Sequence, residues 1–325
     1  MSALGSATSA APVPPTPDPG VAARSLLSVV DRRRRRKDRV MTGLVWFAFL
    51  LAITPLASLL WTVLSNGLVK FSGYFLLHSM RNVSGGLDAG GAYHAIVGTL
   101  LITLGAAVIS VPIGLLVAIY LVEYGRGHLA RSVTFFVDVM TGIPSIVAGL
   151  FAYAVFAIFF GAGIRLGVMG SVALAVLMMP VVVRSCEEML RLVPNELREA
   201  SYALGVPKWL TVVKVVLRTS VAGLTTGVLL AVARVIGETA PLMIAVGTTA
   251  SINFDLFNGR MMTLPVYIYD QYHQGPARCT ATATNCLTSI NFDRAWAAAL
   301  TLLLIVVVLN LLGRLVTRLF APKLR

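Results

Sequence analysis

"RSCEEMLRLVPNELREASYALGVPKWLTVVKVVLRTS", residues 184–220, is a long polar segment between two apolar runs of this chain. It has the grammar of helices, not of an ordinary loop. Pro194 suits the first turn of a helix, where a missing N–H is no loss. Residues 195–204 form a helical stretch, with Glu196 and Glu199 near the positive end of its dipole. Gly205 fits a left-handed C-terminal cap, and Pro207 can open a second helix. Two short helices meeting at a glycine predict a protruding elbow. The plainer alternative is a connection whose amphipathic helices lie on a membrane surface.

Outward from this segment the chain becomes apolar. Its 325 residues are 57% hydrophobic and only 13% charged, with a mean hydropathy of +0.82. A soluble domain would carry nearer a quarter charged residues. A bilayer core of roughly 30 Å asks about 20 apolar residues of each helix. Six runs meet that need, over about 41–65, 94–122, 132–161, 168–183, 220–246 and 295–312. The reading is an all-α integral membrane protein with six transmembrane helices. A disordered basic tail is expected over 1–40, an N-terminal membrane helix over 41–65 and an outside segment over 66–93. A compact core is expected over 94–320, with the elbow at 184–218 and a second outside loop at 247–293.

The formal charge of +13 raises the possibility of nucleic acid, but its distribution argues otherwise. With the N-terminus inside, 20 of the 27 Lys and Arg fall in cytoplasmic segments, six fall outside and Arg234 lies in the membrane. That is the positive-inside pattern, and an even number of spans places both termini in the cytoplasm. The run Arg32, Arg33, Arg34, Arg35, Arg36, Lys37 therefore reads as a topology anchor beside membrane lipid. The apolar stretch after it is too long for a signal-peptide core. Of the three cysteines, Cys186 reads as an inert small residue. Cys279 and Cys286 share the second outside loop, where an oxidising compartment permits a disulfide. No Cys/His grouping has metal-ligand spacing, so neither a metal nor a cofactor is expected in this chain.

"EASYALG" at 199–205, followed nine residues later by "VVLR", resembles the EAA motif of ABC importer permeases. Glu199, Ala200, Gly205 and Leu217 match that pattern, Ser201 replaces its second alanine, and Arg218 stands where proline is usual. The resemblance implies the type I ABC importer permease fold. It also implies that Glu199, Ala200 and Gly205 couple the elbow to a separate ATPase, which would hold the ATP and Mg. No G-x-x-x-x-G-K-[ST] phosphate loop occurs in the chain, so it is not its own ATPase by that route. "HAIVGTLLIT" at 94–103, "GIPSIVAGLF" at 142–151 and "ARVIGETAPL" at 233–242 resemble the permease family of the high-affinity phosphate importer, PstA in preference to PstC. That resemblance implies a cell-membrane transporter subunit working with PstC, two copies of PstB and the phosphate-binding protein PstS.

Arg234 and Glu238 stand one helical turn apart inside an apolar run, close enough to pair on one helix face. Charges at mid-membrane are costly and turn toward a bundle interior or water. One reading is an ion pair that only fixes packing. The other places Arg234 on the path of an anion, with Glu238 pairing it when the path is empty. A guanidinium suits phosphate because its planar donors reach two oxygens at once. Gly237 removes bulk beside the pair, Pro241 bends the helix, and Thr239 offers a hydroxyl. Gly142, Pro144 and Ser145 can open the third span in the same way, and Asp138 is a further candidate charge partner. Gly223 and Gly227 form a G-x-x-x-G pair suited to close helix packing. Competing readings are a permease for molybdate or sulfate, an ion-driven carrier, and, least supported, a membrane enzyme.

Overall fold

A computed structural model describes residues 32–83, 86–279 and 285–320, so most of the expected tail lies outside the described residues. The described chain is helical, apart from one isolated bridge between Leu87 and Cys286. In chain order the helices are α1 (Arg32–Lys70), α2 (Gly73–Leu77), α3 (Tyr93–Ile119, extended by a π turn at Tyr120–Tyr124), α4 (Gly127–Thr141), α5 (Ser145–Phe160) and α6 (Gly167–Arg191). There follow α7 (Asn195–Ala203), α8 (Lys208–Thr211, with a π turn at Val212–Val216), α9 (Leu217–Val235), α10 (Ala240–Ala245), α11 (Leu264–His273) and α12 (Ile290–Phe320). Five helices are long and apolar enough to cross a membrane, and α4 with α5 makes a sixth span if that bent pair counts as one. The protein is a multi-pass membrane protein.

The chain divides at Leu60 into two compact units. The first is helical from Arg32, so residues 32–40 of the expected disordered tail are helix instead. Arg and Lys are good helix formers, and nothing in "RRRRRKDR" stops a helix that the apolar residues after it sustain. Every described residue of this unit from Arg33 on is exposed, as suits a helix solvated by lipid.

The second unit, from Trp61, is built around α6. Its neighbours α3 and α9 approach closely because small residues line the contacts. A Cβ on Gly114 would stand 2.7 Å from Val182, and one on Gly105 would stand 2.5 Å from Ser171 Oγ. The Ser171 hydroxyl donates to the Ile102 carbonyl at 3.1 Å. Gly223 and Gly227 meet Met189 and Ser185 in the same manner, at 2.5 and 2.7 Å from added Cβ atoms. Beyond this packing, α11 and α12 pair with each other and α9 lies against α12.

Two expected spans are not continuous helices. The third, 132–161, breaks after Thr141, and its halves α4 and α5 stand 106° apart. Pro144 has no N–H to give a helix and disfavours helical geometry at Ile143. The fifth, 220–246, ends at Val235; the chain turns through residues 236–239 and restarts as α10 with Pro241 in its first two positions. In an unbroken helix the Pro241 ring would strike the carbonyl of Gly237. By contrast, the segment around Arg218 is unbroken, and the helix there is only loosened by the preceding π turn.

Candidate functional site

The two breaks face one cavity of about 250 Å³. Met140 and Thr141 line it from the end of α4, Ser145 from the start of α5, and Leu177, Pro180 and Val181 from halfway along α6. Arg234 comes from the last turn of α9 and Glu238 from the turn after it. The structure thus brings together three of the four residues expected on a substrate path: Arg234, Glu238 and Ser145.

The fourth, Thr239, lines a different groove, with Met243, Tyr269, Tyr272 and His273. The expected Arg234–Glu238 ion pair is also absent. Among the described residues neither side chain has a hydrogen-bond or ion-pair partner. The reason is local. Helical spacing stacks residues four apart only while the helix lasts, and α9 ends between them, with Glu238 N–H donating to the Val235 carbonyl at 3.1 Å. Arg234 is exposed and Glu238 half-buried on the cavity wall. The planar donors of the Arg234 guanidinium thus have no protein acceptor among the described residues. Asp138 does not serve Arg234 either: it pairs with Arg184, which also holds Glu187 at 2.8 Å, and Glu187 in turn accepts from Arg191 at 2.6 Å.

Gly237 has no atom within 4 Å of an added Cβ, so its small size is not needed for packing. The close approach occurs instead at Gly149 of α5, where a Cβ would stand 2.6 Å from Pro241 Cα and 2.7 Å from its carbonyl oxygen. This contact locks the two halves beyond the breaks together. Arg165 adds a second lock, donating to the carbonyls of Met243 at 2.9 Å and of Ile244. These are C-terminal carbonyls of α10, where a cation is favoured. Gly149 lies in the quoted 142–151 stretch and Arg165 in none, and only the tertiary contact reveals what either residue does.

At one end of α6 the elbow forms as its sequence suggests. Pro194 precedes α7, Gly205 takes φ of +75°, and Pro207 precedes α8. Glu199 and Ala200 are exposed on it, and Glu199 has no partner among the described residues. Arg198, unmarked in the sequence, does the internal work. It donates to the carbonyls of Leu190 at 3.0 Å and Val193 at 2.5 Å, to Asn195 Oδ1 at 3.2 Å, and to Glu123 at 3.0 Å. Ser201 and Thr211 share a 2.8 Å hydroxyl contact across the bend. Lys208 reaches the Glu123 carbonyl and lies over the Tyr124 ring, 4.9 Å from its centroid. Leu192, Leu204 and Trp209 in this segment are uncovered, at 73%, 83% and 62% exposure.

A cavity between broken spans, with a helical elbow at one end of the central helix, is the architecture of a membrane permease. The family described as binding-protein-dependent transport system inner membrane component matches residues 110–325. "Phosphate transport system permease protein PstA 1" of Mycobacterium tuberculosis (strain CDC 1551 / Oshkosh) is 46% identical, covering 87% of this chain and 90% of that protein. PstA of Mycobacterium leprae (strain TN) is 45% identical over 89% and 91% of the two chains, and PstA of Pasteurella multocida (strain Pm70) 35% over 87% and 95%. The chain belongs to the PstA family of ABC importer permeases. Among solved structures, the MetNI methionine ABC transporter has a chain of TM-score 0.51 at 22% identity, covering 71% of this chain and 94% of that one. A bacterial alginate ABC transporter has one of TM-score 0.59 at 11% identity, covering 88% and 96%. These likenesses establish the ABC importer permease fold.

Proposed function

We infer that this chain is the membrane permease subunit of an ATP-driven importer of inorganic phosphate, and that it forms half of the translocation path. The observation that carries the reading is Arg234: an arginine with no protein partner among the described residues, at mid-span, in a chain 46% identical to a permease named for phosphate transport. Arg234 meets the phosphate oxygens bidentately, Ser145 offers a hydroxyl, and Glu238 sets how long the anion stays. A path must bind weakly enough to release, so an acidic residue beside the arginine is consistent with conduction. The elbow, through Glu199, Ala200 and Gly205, docks on a separate ATPase that holds the ATP and Mg. The partners are PstC, a PstB dimer and the binding protein PstS, and both termini lie on the cytoplasmic side of the cell membrane.

Uptake of labelled phosphate into vesicles carrying the assembled transporter tests this. Arg234→Gln is expected to lower uptake at least tenfold with assembly intact, and Glu199→Lys to weaken ATPase coupling while Arg234 stays functional. Normal uptake by Arg234→Gln would leave Arg234 outside the path. Uptake without any ATPase subunit would sink the ABC reading. Equal uptake of molybdate or sulfate would shift the cargo to oxyanions in general.

A further inference from the structure

A second cavity, of about 330 Å³, lies at the other end of α3 from the elbow. Its walls come from the first turns of α3 and α12, from α11, and from Thr248 and Thr249. His94 in its wall and Glu123 beside the elbow are separated along α3 and its π turn by a helical rise on the order of 45 Å. It shares no lining residue with the Arg234 cavity.

Four polar residues of its wall are deeply buried. His94, Tyr267, Gln271 and Arg294 are 2%, 1%, 4% and 1% exposed. Both ring nitrogens of His94, the Tyr267 hydroxyl, Gln271 Oε1 and Arg294 Nε nevertheless have no hydrogen-bond partner among the described residues. Buried polar atoms in folded proteins are nearly always satisfied, so orphans from four side chains at one cavity point to an occupant. The other Arg294 nitrogens are committed. Nη2 donates to the carbonyls of Leu87 at 2.6 Å and Ala89 at 2.8 Å, and Nη1 to Asn291 Oδ1 at 3.4 Å. This clasp fixes the guanidinium, whose charge has no ion-pair partner among the described residues.

The wall offers donors and acceptors together. Arg294 Nε–H and the Tyr267 hydroxyl donate; burial pushes the Tyr267 pKa up, so the hydroxyl keeps its proton. Gln271 Oε1 accepts, and so does Asp270, one of whose carboxylate oxygens takes a bond from Gln274 Nε2 at 2.9 Å. An occupant that satisfies both sets is an anion that still carries a proton. We propose that this cavity is a receiving site for hydrogen phosphate, which is held there before it reaches the Arg234 cavity. Asp270 accepts the P–OH proton, and sulfate, which has none at neutral pH, is disfavoured beside that carboxylate. The proposal rests on the phosphate-permease reading above.

Equilibrium binding of labelled phosphate to the assembled transporter in nanodiscs, without nucleotide or binding protein and with sulfate as competitor, tests it. Arg294 clasps the backbone and its loss risks unfolding, so Tyr267→Phe and Asp270→Asn carry the test. Tyr267→Phe is expected to weaken phosphate binding about tenfold, and Asp270→Asn to let sulfate compete within about threefold of phosphate. In an Arg234→Gln background the same binding and the same Tyr267 sensitivity should persist. Binding and phosphate-over-sulfate preference unchanged in both variants, no phosphate bound by the wild type, or all binding lost with Arg234→Gln would each overturn the receiving site. The first of these leaves the cavity a water-filled one. Vesicle uptake read in parallel separates the two ideas: wild-type vesicles that take up no phosphate overturn the transport reading itself.

Discussion

Two arginines in this chain are put to opposite uses, and their surroundings decide which. Arg198 is spent on structure. Its side chain is 12% exposed, its guanidinium serves the Leu190 carbonyl of α6, the Val193 carbonyl just beyond it and the Glu123 carboxylate, and Glu123 is 5% exposed. Arg234 is held in position by α9 and serves no protein atom among the described residues. Removing one member of a buried ion pair strands the other, at a cost of about 3–5 kcal/mol. Arg198→Ala should therefore lower the melting temperature of the purified transporter and, on the proposed coupling role of the elbow, reduce ATPase stimulation. Arg198→Lys should recover only part of this, since a point charge cannot reach four differently placed acceptors. An unchanged melting curve in Arg198→Ala would show that the clamp is not what stiffens the elbow.

The same contrast holds between elements. α4 and α5 turn at Pro144, α9 and α10 turn before Pro241, and the second halves of both meet at Gly149. Because the atoms facing Gly149 are Pro241 backbone, they cannot rotate away as a long side chain would. Gly149→Ala should force α5 and α10 apart, with an overpacking cost of about 1–3 kcal/mol and a several-fold loss of uptake. Gly237→Ala is the control, since its Cβ enters open space and should change little. Equal behaviour of the two variants in uptake and thermal melts would rule out the Gly149 contact as the lock between the broken halves.

At the scale of the whole molecule, the face remote from the elbow is held by one local disulfide and by links between distant parts of the chain. Cys279 and Cys286 form a disulfide with a Cα–Cα distance of 5.7 Å, Leu287 N–H donates to the Gly86 carbonyl at 2.8 Å, and Arg294 clasps Leu87 and Ala89. Closing so short a loop stabilises by about 2–3 kcal/mol in the chain-entropy account. Replacing both cysteines by serine should lower the melting temperature by a few degrees and leave elbow-dependent ATPase coupling intact. Lost coupling in that variant would mean that the two ends of the fold are mechanically joined through this strap.

Helix content, the apolar spans, the elbow with its Gly205 cap and the small-residue packing of Gly223 and Gly227 were all legible in the chain alone. Each depends on neighbours a few residues away, on apolar run length or on residue size. The place of Arg234 on a broken helix was half legible: Pro241 announced the bend. Its position after Val235, which separates Arg234 from Glu238, followed from how α10 packs on α5. The contacts made by Arg198, Gly149, Arg165 and the wall of the second cavity left no local signal, although Gly149 and His94 fall within the stretches quoted for the family resemblance. Their partners lie in other elements, and a guanidinium in sequence looks the same whether it will hold a carbonyl, a carboxylate or an anion. Local periodicity and steric rules determined which segments are helices and where they end. Only tertiary structure decided which charges are satisfied by the protein and which keep no protein partner among the described residues, because that depends on distances between residues far apart in the chain.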